Sequence, residues 1–188
     1  MIDSAGGPTA EIMTAEQLEH LHLPGKSTEL VRGQLVVREP PGTYHGLIAA
    51  RLLLRVGGFV EAHRLGEVFG QDTGFKIASN PDTVRAPDVA FVAHERLSQL
   101  TRRGYASVAP DLVAEILSPD DRPGEVMSKI VAWLDAGVRL AWVIDPDRRV
   151  AQVHRPDGSL SLLDADADLE GEVVLPGFLC ALEELFPG

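Results

Sequence analysis

Residues Leu112-Val113-Ala114-Glu115-Ile116-Leu117 are the stretch of sequence that decides the fold of this chain. Five of these six residues are apolar, and a continuous apolar run is typical of a strand that is covered on both faces of its sheet. Glu115 is the exception, and an isolated buried carboxylate costs several kcal/mol. Glu115 therefore needs a cation, a network of hydrogen bonds or an open cleft at the sheet edge.

Another acid and one lysine extend this observation. Asp88 interrupts residues 84–92, which otherwise read as a strand. Two carboxylates in apolar strands suggest that both point into one polar notch. Neighbouring carboxylates repel each other, and a divalent cation that binds oxygen ligands, such as Mg²⁺, commonly offsets this repulsion. Lys129 lies on a predicted helix whose residues Ile130 and Trp133 suggest a buried face. Its ammonium could reach the same notch.

Each of these residues also has a simpler structural explanation. Glu125 and Lys129, at i,i+4 spacing, could form only a helix-surface ion pair, which contributes about a few tenths of a kcal/mol. Asp88 could be a turn residue at a strand end, and Glu115 could pair with a nearby arginine. The functional interpretation is favoured because the simpler explanations require three independent coincidences, one each for Asp88, Glu115 and Lys129.

The remaining chain predicts an α/β (α+β) fold, in which a central mixed β-sheet is flanked by helices. Apolar residues at three- and four-residue spacing predict an amphipathic helix over residues 44–64. A second helix over residues 123–136 could serve as the crossover between two parallel strands. Predicted strands occupy residues 29–31, 34–37, 67–69, 73–77, 84–92, 110–117, 140–144, 149–154, 159–163 and 172–175. The pairs 29–31 with 34–37 and 149–154 with 159–163 predict an N-terminal and a C-terminal hairpin.

Length and composition limit the classes of protein. The 188 residues suit a flexible tail over 1–13 and a single domain over 14–188. The formal net charge of −11 argues against unassisted binding of nucleic acid. Cys180 is the only cysteine, which excludes an internal disulfide. No leader-like start or bilayer-length apolar run is visible, so we expect a cytoplasmic protein with no membrane partner.

Several segments together resemble one family of bacterial proteins. Two of them surround the acids, two follow Lys129, and others lie in the first hairpin and near the C-terminus: Ala86-Pro87-Asp88-Val89, Pro110-Asp111-Leu112-Val113-Ala114-Glu115-Ile116-Leu117-Ser118-Pro119, Ala136-Gly137-Val138, Trp142-Val143-Ile144-Asp145-Pro146, Glu29-Leu30-Val31-Arg32-Gly33 and Leu175-Pro176-Gly177-Phe178. The combined pattern resembles the Uma-type family of restriction-endonuclease-like proteins within the PD-(D/E)XK nuclease superfamily. The resemblance begins at about residue 16 and covers nearly all of the chain from there.

This resemblance implies a restriction-endonuclease-like fold and assigns roles to individual residues. Asp88 and Glu115 would match the two acidic motif positions and would hold Mg²⁺ or Mn²⁺. The lysine that the superfamily places two positions after the second acid is replaced here by Leu117, so Lys129 from the next helix would substitute for it. Glu29 and His45 would be accessory site residues, with His45 a candidate proton shuttle.

The function implied is a Mg²⁺-dependent endonuclease that hydrolyses phosphodiester bonds of nucleic acid, DNA rather than RNA. The alternative is a non-catalytic binding or assembly module that retains the nuclease fold. A homodimer would provide two sites for the two strands of a duplex. Four arginines are candidate phosphate contacts: Arg102, Arg103, Arg148 and Arg149.

Overall fold

The computed structural model describes residues 12–187. The flexible tail predicted over residues 1–13 lies outside the described residues except for its last two positions. Met13 donates its backbone N–H to the carbonyl of Gly33 at 2.8 Å. Thr14 then caps the first helix, because its hydroxyl accepts the N–H of Gln17 and the Gln17 side chain accepts the N–H of Thr14. The chain is therefore held against the first hairpin from residue 13 onward.

Three α-helices and twelve strands form the described part of the chain. The helices are α1 (Ala15–Glu19), α2 (Thr43–His63) and α3 (Pro123–Asp135). The strands are β1 (Ser27–Val31), β2 (Gln34–Arg38), β3 (Gly66–Gly70), β4 (Phe75–Ala78), β5 (Thr83–Arg85), β6 (Val89–Ala93), β7 (Leu112–Ile116), β8 (Leu140–Asp145), β9 (Val150–His154), β10 (Leu160–Leu163), β11 (Asp168–Glu170) and β12 (Leu179–Ala181). Short 3-10 helices cover His94–Gln99 and Leu182–Leu185. Among these residues, no helix combines the length and the apolar character that crossing a bilayer requires.

The strands form a central six-stranded sheet and two smaller sheets. The central order is β10-β9-β8-β7-β6-β3, and a four-stranded sheet has the order β2-β1-β5-β4. Strands β7 and β8 are parallel, with Ala114 opposite Trp142, whereas the other pairs in the central sheet are antiparallel. Helix α3 connects the parallel pair, as the crossover rule requires. The predicted mixed sheet, both hairpins and the parallel crossover are confirmed.

Hydrophobic packing on both faces of the central sheet explains the continuous apolar pattern of β7. Helix α2 covers one face, where Ile48 and Leu52 belong to the same core cluster as Trp142. Helix α3 covers the other, where Ile130 and Trp133 lie in a second cluster. All five residues of β7 are buried. Glu115 therefore lies in a strand with no fully solvated face, as its sequence context predicts.

The local structure departs from the sequence prediction at three points. Residues 84–92 do not form one strand, because the chain leaves the four-stranded sheet at Arg85 and joins the central sheet at Val89. Residues 172–175 form a turn rather than a strand, with the N–H of Leu175 bonded to the carbonyl of Gly171 at 2.8 Å. At the start of α3 the sequence favours Asp120 or Asp121 as the cap, but Arg122 is the cap residue and makes no side-chain capping bond.

Candidate functional site

A cleft of about 850 Å³ opens at the C-terminal end of β7. Its walls come from the first hairpin, the start of α2, the connection between β5 and β6, and the start of α3. All five residues predicted for the site line this cleft: Glu29, His45, Asp88, Glu115 and Lys129. The fold therefore brings together residues that are up to 100 positions apart in sequence (Glu29 and Lys129).

Asp88 lies where the chain passes from β5 into β6. Its backbone N–H donates to the carbonyl of Ala114 at 3.1 Å, and its Oδ2 accepts the N–H of Ile116 at 2.7 Å. These two bonds attach Asp88 to both sides of Glu115 on β7. The carboxylate is 16% exposed, so it remains open to the cleft. Its position fits the turn explanation only in part, because the side chain is held by the neighbouring strand and faces the cleft.

Glu115 is buried but both of its carboxylate oxygens have donors. Oε1 accepts the indole N–H of Trp133 at 2.9 Å, and Oε2 accepts from Nζ of Lys129 at 2.8 Å. Burial raises the pKa of Glu115 to about 7, although the charge of Lys129 opposes this shift. These two donors provide the hydrogen-bond partners that a carboxylate in an apolar strand needs.

Lys129 projects from α3 into the space between two acids. Besides Glu115, its Nζ donates to the carbonyl of Ala86 at 3.1 Å and lies 3.4 Å from Oε1 of Glu29. Burial lowers the pKa of Lys129, but the charges of Glu115 and Glu29 outweigh it, and the net shift is upward. The surface ion pair with Glu125 is not formed, since Glu125 lies 3.7 Å from Arg122 instead.

Glu29 anchors the other side of Lys129. Its Oε2 pairs with Nη1 of Arg85 at 2.8 Å, and its Oε1 accepts the N–H of Ala86 at 2.9 Å. Burial alone would raise the pKa of Glu29, but the charges of Lys129 and Arg85 outweigh it. The net pKa is lowered, so the carboxylate stays ionised. Glu29 and Glu115 thus share Lys129, and Arg85 compensates Glu29 from its other side.

His45 contacts Asp88 through a hydrogen-bonded group that includes Gln71. Nε2 of His45 lies 3.2 Å from Oδ2 of Asp88. The Gln71 amide donates to Nδ1 of His45 at 3.1 Å and to Oδ1 of Asp88 at 3.2 Å. An acceptor role for Nδ1 places the proton of the neutral ring on Nε2, facing Asp88. Burial lowers the pKa of His45, but the hydrogen bond and charge of Asp88 outweigh it and raise the pKa.

Some residues were missed from the sequence, and others do not reach the cleft. Gln71, Arg85 and Trp133 hold site residues, yet nothing in their local sequence distinguishes a polar turn residue, a strand arginine or a core tryptophan. The four arginines proposed as phosphate contacts are absent from the described lining of the cleft: Arg102, Arg103, Arg148 and Arg149.

The donor set of the cleft fits a hard divalent cation. Mg²⁺ typically takes one or two protein carboxylates and completes its coordination with water and substrate phosphate. Asp88 and Glu115 provide such a pair, and each carboxylate oxygen can accept more than one bond. Within residues 12–187, no group of three or more His, Cys, Asp or Glu side chains is arranged to hold a metal ion. The residues therefore fit a site of two carboxylates rather than a closed protein cage.

The sequence model of one protein family, described as "Putative restriction endonuclease" and named Uma2, matches residues 15–183. The chain belongs to the Uma2 family. No curated protein matches this Uma2 chain. A solved relative in fold is the crystal structure, at 1.96 Å, of a "putative nuclease belonging to DUF820" from Anabaena variabilis ATCC 29413. The two chains are 23% identical, with a TM-score of 0.79, and the alignment covers 93% of this chain and 97% of the other.

Membership of the Uma2 family supports a nuclease function and a nucleic-acid substrate. It also confirms the resemblance inferred from the sequence. At 23% identity, the solved structure bears on the fold alone. The restriction-endonuclease-like architecture is thus supported by the family match, by the solved relative and by the mixed sheet of this chain.

Proposed function

We propose that this chain is a metal-dependent endonuclease that uses Mg²⁺ or Mn²⁺ to hydrolyse phosphodiester bonds in DNA. The observation that carries this proposal is the convergence of Asp88, Glu115 and Lys129 in one cleft, with the lysine amine 2.8 Å from Glu115. Asp88 and Glu115 would hold the cation. When bound, it would supply Lewis-acid polarisation of the phosphodiester and a water of lowered pKa.

Lys129 has two tasks in this proposal. Its ammonium keeps Glu115 and Glu29 compensated, because it lies within 2.8 Å of one and 3.4 Å of the other. It also places a positive charge at the wall of the cleft, where it would stabilise negative charge that develops on the phosphate. The contact with Glu29, which Arg85 holds from behind, fixes the position of the amine.

His45 is proposed to move a proton at the edge of the site. Its neutral ring carries the Nε2 proton toward Asp88, and the Gln71 amide fixes that tautomer through Nδ1. The hydrogen bond and charge of Asp88 raise the pKa of His45, which favours the protonated ring. A buried imidazole that can be either neutral or protonated could donate a proton to a departing oxygen.

A non-catalytic binding or assembly module is the second candidate, and one observation favours it. The amine of Lys129 already contacts three oxygens, of Glu115, Ala86 and Glu29. A lysine with two hydrogen bonds and a further ion pair to the protein can serve the fold without taking part in turnover. Under this alternative, neutralising Asp88 would leave the complex with a partner intact.

Nicking of supercoiled DNA distinguishes the two candidates. We expect wild-type protein to nick DNA with Mg²⁺ or Mn²⁺, and Asp88→Asn and Glu115→Gln to lose at least about a hundredfold in rate. Asp111→Asn is the matched control. Asp111 is also buried, but it pairs with Arg96 at 2.9 Å and does not line the cleft. Its variant should lose stability, with activity that follows the folded fraction.

The outcome that contradicts the nuclease is the absence of cleavage of DNA and of RNA with either metal by folded wild-type protein. Cleavage of RNA alone would retain the metal-dependent hydrolase and overturn the preference for DNA. A homodimer, with one site for each strand, also stays a prediction. Light scattering in solution tests it, and a monomer that makes double-strand breaks would contradict it.

A further inference from the structure

The charge of the cleft is unusual for a protein proposed to bind a phosphodiester. Nine carboxylate side chains line it, whereas the only lysine and arginine side chains in its described lining are Lys129 and Arg38. A single pair of metal ligands accounts for two of the nine acids. A phosphate that enters this cleft therefore meets a strongly negative field and needs a cation with free donors.

Lys129 is largely committed to other groups, because its Nζ donates to Glu115 and to the carbonyl of Ala86, and its charge pairs with Glu29 at 3.4 Å. Arg85 is similarly committed to Glu29 and is only 8% exposed. Lys129 and Arg85 thus serve the acids rather than the open space of the cleft.

Arg38 differs from both in its contacts. It is the last residue of β2 and lies on the hairpin side of the cleft, with its side chain 40% exposed. The nearest carboxylate oxygens are on Asp121, 3.6 Å from Nη1, and on Glu29, 4.0 Å from Nε. Both distances exceed those of a normal hydrogen bond. Its Nε, like that of Arg85, is buried and has no hydrogen-bond partner among the described residues, so Arg38 differs from Arg85 in its exposure and in its long distances to carboxylates.

We infer that Arg38 is a phosphate-binding residue of the cleft, which holds the DNA backbone beside Asp88 and Glu115. The inference rests on the proposed nuclease function. A guanidinium presents several N–H groups in one plane and can bind two oxygens of a phosphate at once. Such a contact would satisfy Nη1, which Asp121 holds only at 3.6 Å. It would also offset part of the acidic field at the point where the substrate enters.

Binding of DNA without cleavage tests this inference directly. The probe is a short fluorescein-labelled DNA duplex in Ca²⁺, followed by fluorescence anisotropy over a range of salt concentrations. We expect Arg38→Gln to weaken binding about tenfold or more. Its dependence of log affinity on log salt should fall in slope by about one unit, as the loss of one phosphate contact requires. Arg38→Lys, which retains the charge and loses the planar fork, should fall between wild type and Arg38→Gln.

Arg64→Gln is the matched control. Arg64 is exposed at the end of α2 and does not line the cleft, and its replacement changes the net charge by the same amount. Its affinity should equal that of wild type. Thermal unfolding of Arg38→Gln should be close to wild type, since the contacts of Arg38 are long and its side chain is 40% exposed.

Equal affinities and equal salt slopes for wild type and Arg38→Gln would overturn the inference, as would an equal loss in Arg64→Gln. Cleavage assays with Mg²⁺ and Mn²⁺ on the same proteins separate the two proposals. If wild type cuts DNA and Arg38→Gln binds and cuts equally well, the phosphate site fails and the nuclease stands. If wild type binds through Arg38 without cutting, the phosphate site stands and the nuclease fails. Wild type that binds no DNA overturns the phosphate site and the proposed preference for DNA.

Discussion

Replacing Lys129 by methionine removes a buried ammonium while keeping the length of an unbranched side chain. In the wild-type protein, this ammonium faces Glu115 and Glu29. Glu29 keeps Arg85 and the N–H of Ala86 in the variant, whereas Glu115 keeps only the indole N–H of Trp133. The uncompensated charge therefore falls on Glu115. Removing one partner of a buried ion pair costs about 3–5 kcal/mol.

The pH dependence of this loss follows from the pKa of Glu115. Burial already raises that pKa to about 7 in the wild-type protein, and loss of Lys129 raises it further. Below both values, Glu115 is protonated in either protein and its charge adds no difference. Between them, the wild-type carboxylate is ionised and the variant must hold a proton, so the destabilisation grows by at most about 1.4 kcal/mol for each pH unit. The loss is therefore larger at about pH 8 than at about pH 6.

Urea unfolding followed by tryptophan fluorescence measures this difference. We expect Lys129→Met to lose about 3 kcal/mol or more at pH 8 and less at pH 6. Adding Glu115→Gln removes the buried charge, so the double variant should be more stable than the sum of the two single losses predicts. Both single variants should fail to nick DNA. A free energy of unfolding at pH 8 within about 0.5 kcal/mol of wild type would refute the counter-ion role of Lys129.

Three further predictions concern the proposed metal ligand Glu115, its donor Trp133, and His45. Trp133→Phe keeps a large ring but removes the N–H that binds Glu115. It should cost about 1.5–3 kcal/mol in unfolding free energy and weaken Mn²⁺ binding measured by calorimetry. Unchanged Mn²⁺ affinity would show that the indole does not position Glu115. Cations bind the ionised carboxylate, and the pKa of Glu115 is about 7. Mn²⁺ affinity should therefore fall by up to about tenfold per pH unit below pH 7 and level off above it. An affinity that does not change with pH would contradict the role of Glu115 as a metal ligand. His45→Ala should reduce the nicking rate by about a hundredfold or more if His45 moves a proton, whereas a loss below about tenfold would limit His45 to supporting Asp88.

Local patterns account well for the central sheet of this chain. The crossover helix α3, with an apolar segment on either side of it, predicts the parallel pair β7–β8, and this pair is present. The turn at Pro156-Asp157-Gly158 predicts the β9–β10 hairpin, which is also present. Both features depend on residues close together in the sequence, because periodicity and turn chemistry act over a few positions.

The break in residues 84–92 could not be predicted in this way. Strands β5 and β6 belong to different sheets, and the change of sheet is set by their partners β1, β4, β3 and β7. The backbone at the crossing bonds to the site itself: Ala86 donates to Glu29 and accepts from Lys129, and Asp88 donates to Ala114. A pattern of apolar residues carries no information about such long-range partners. The same limit applies to residues 172–175, which the apolar pattern predicts as a strand but which form a turn.

Acids within apolar strands, together with a lysine on the next helix, were enough to single out Asp88, Glu115 and Lys129, because a buried charge without a partner is too costly to occur by chance. Which donors meet those charges was decided by the fold. Trp133, Arg85, Gln71 and Arg38 come from four separate elements or turns, and their roles exist only where packing brings them within hydrogen-bond reach or into the same cleft. The sequence indicates which buried charges need partners, but it does not specify which atoms come within hydrogen-bond distance of them.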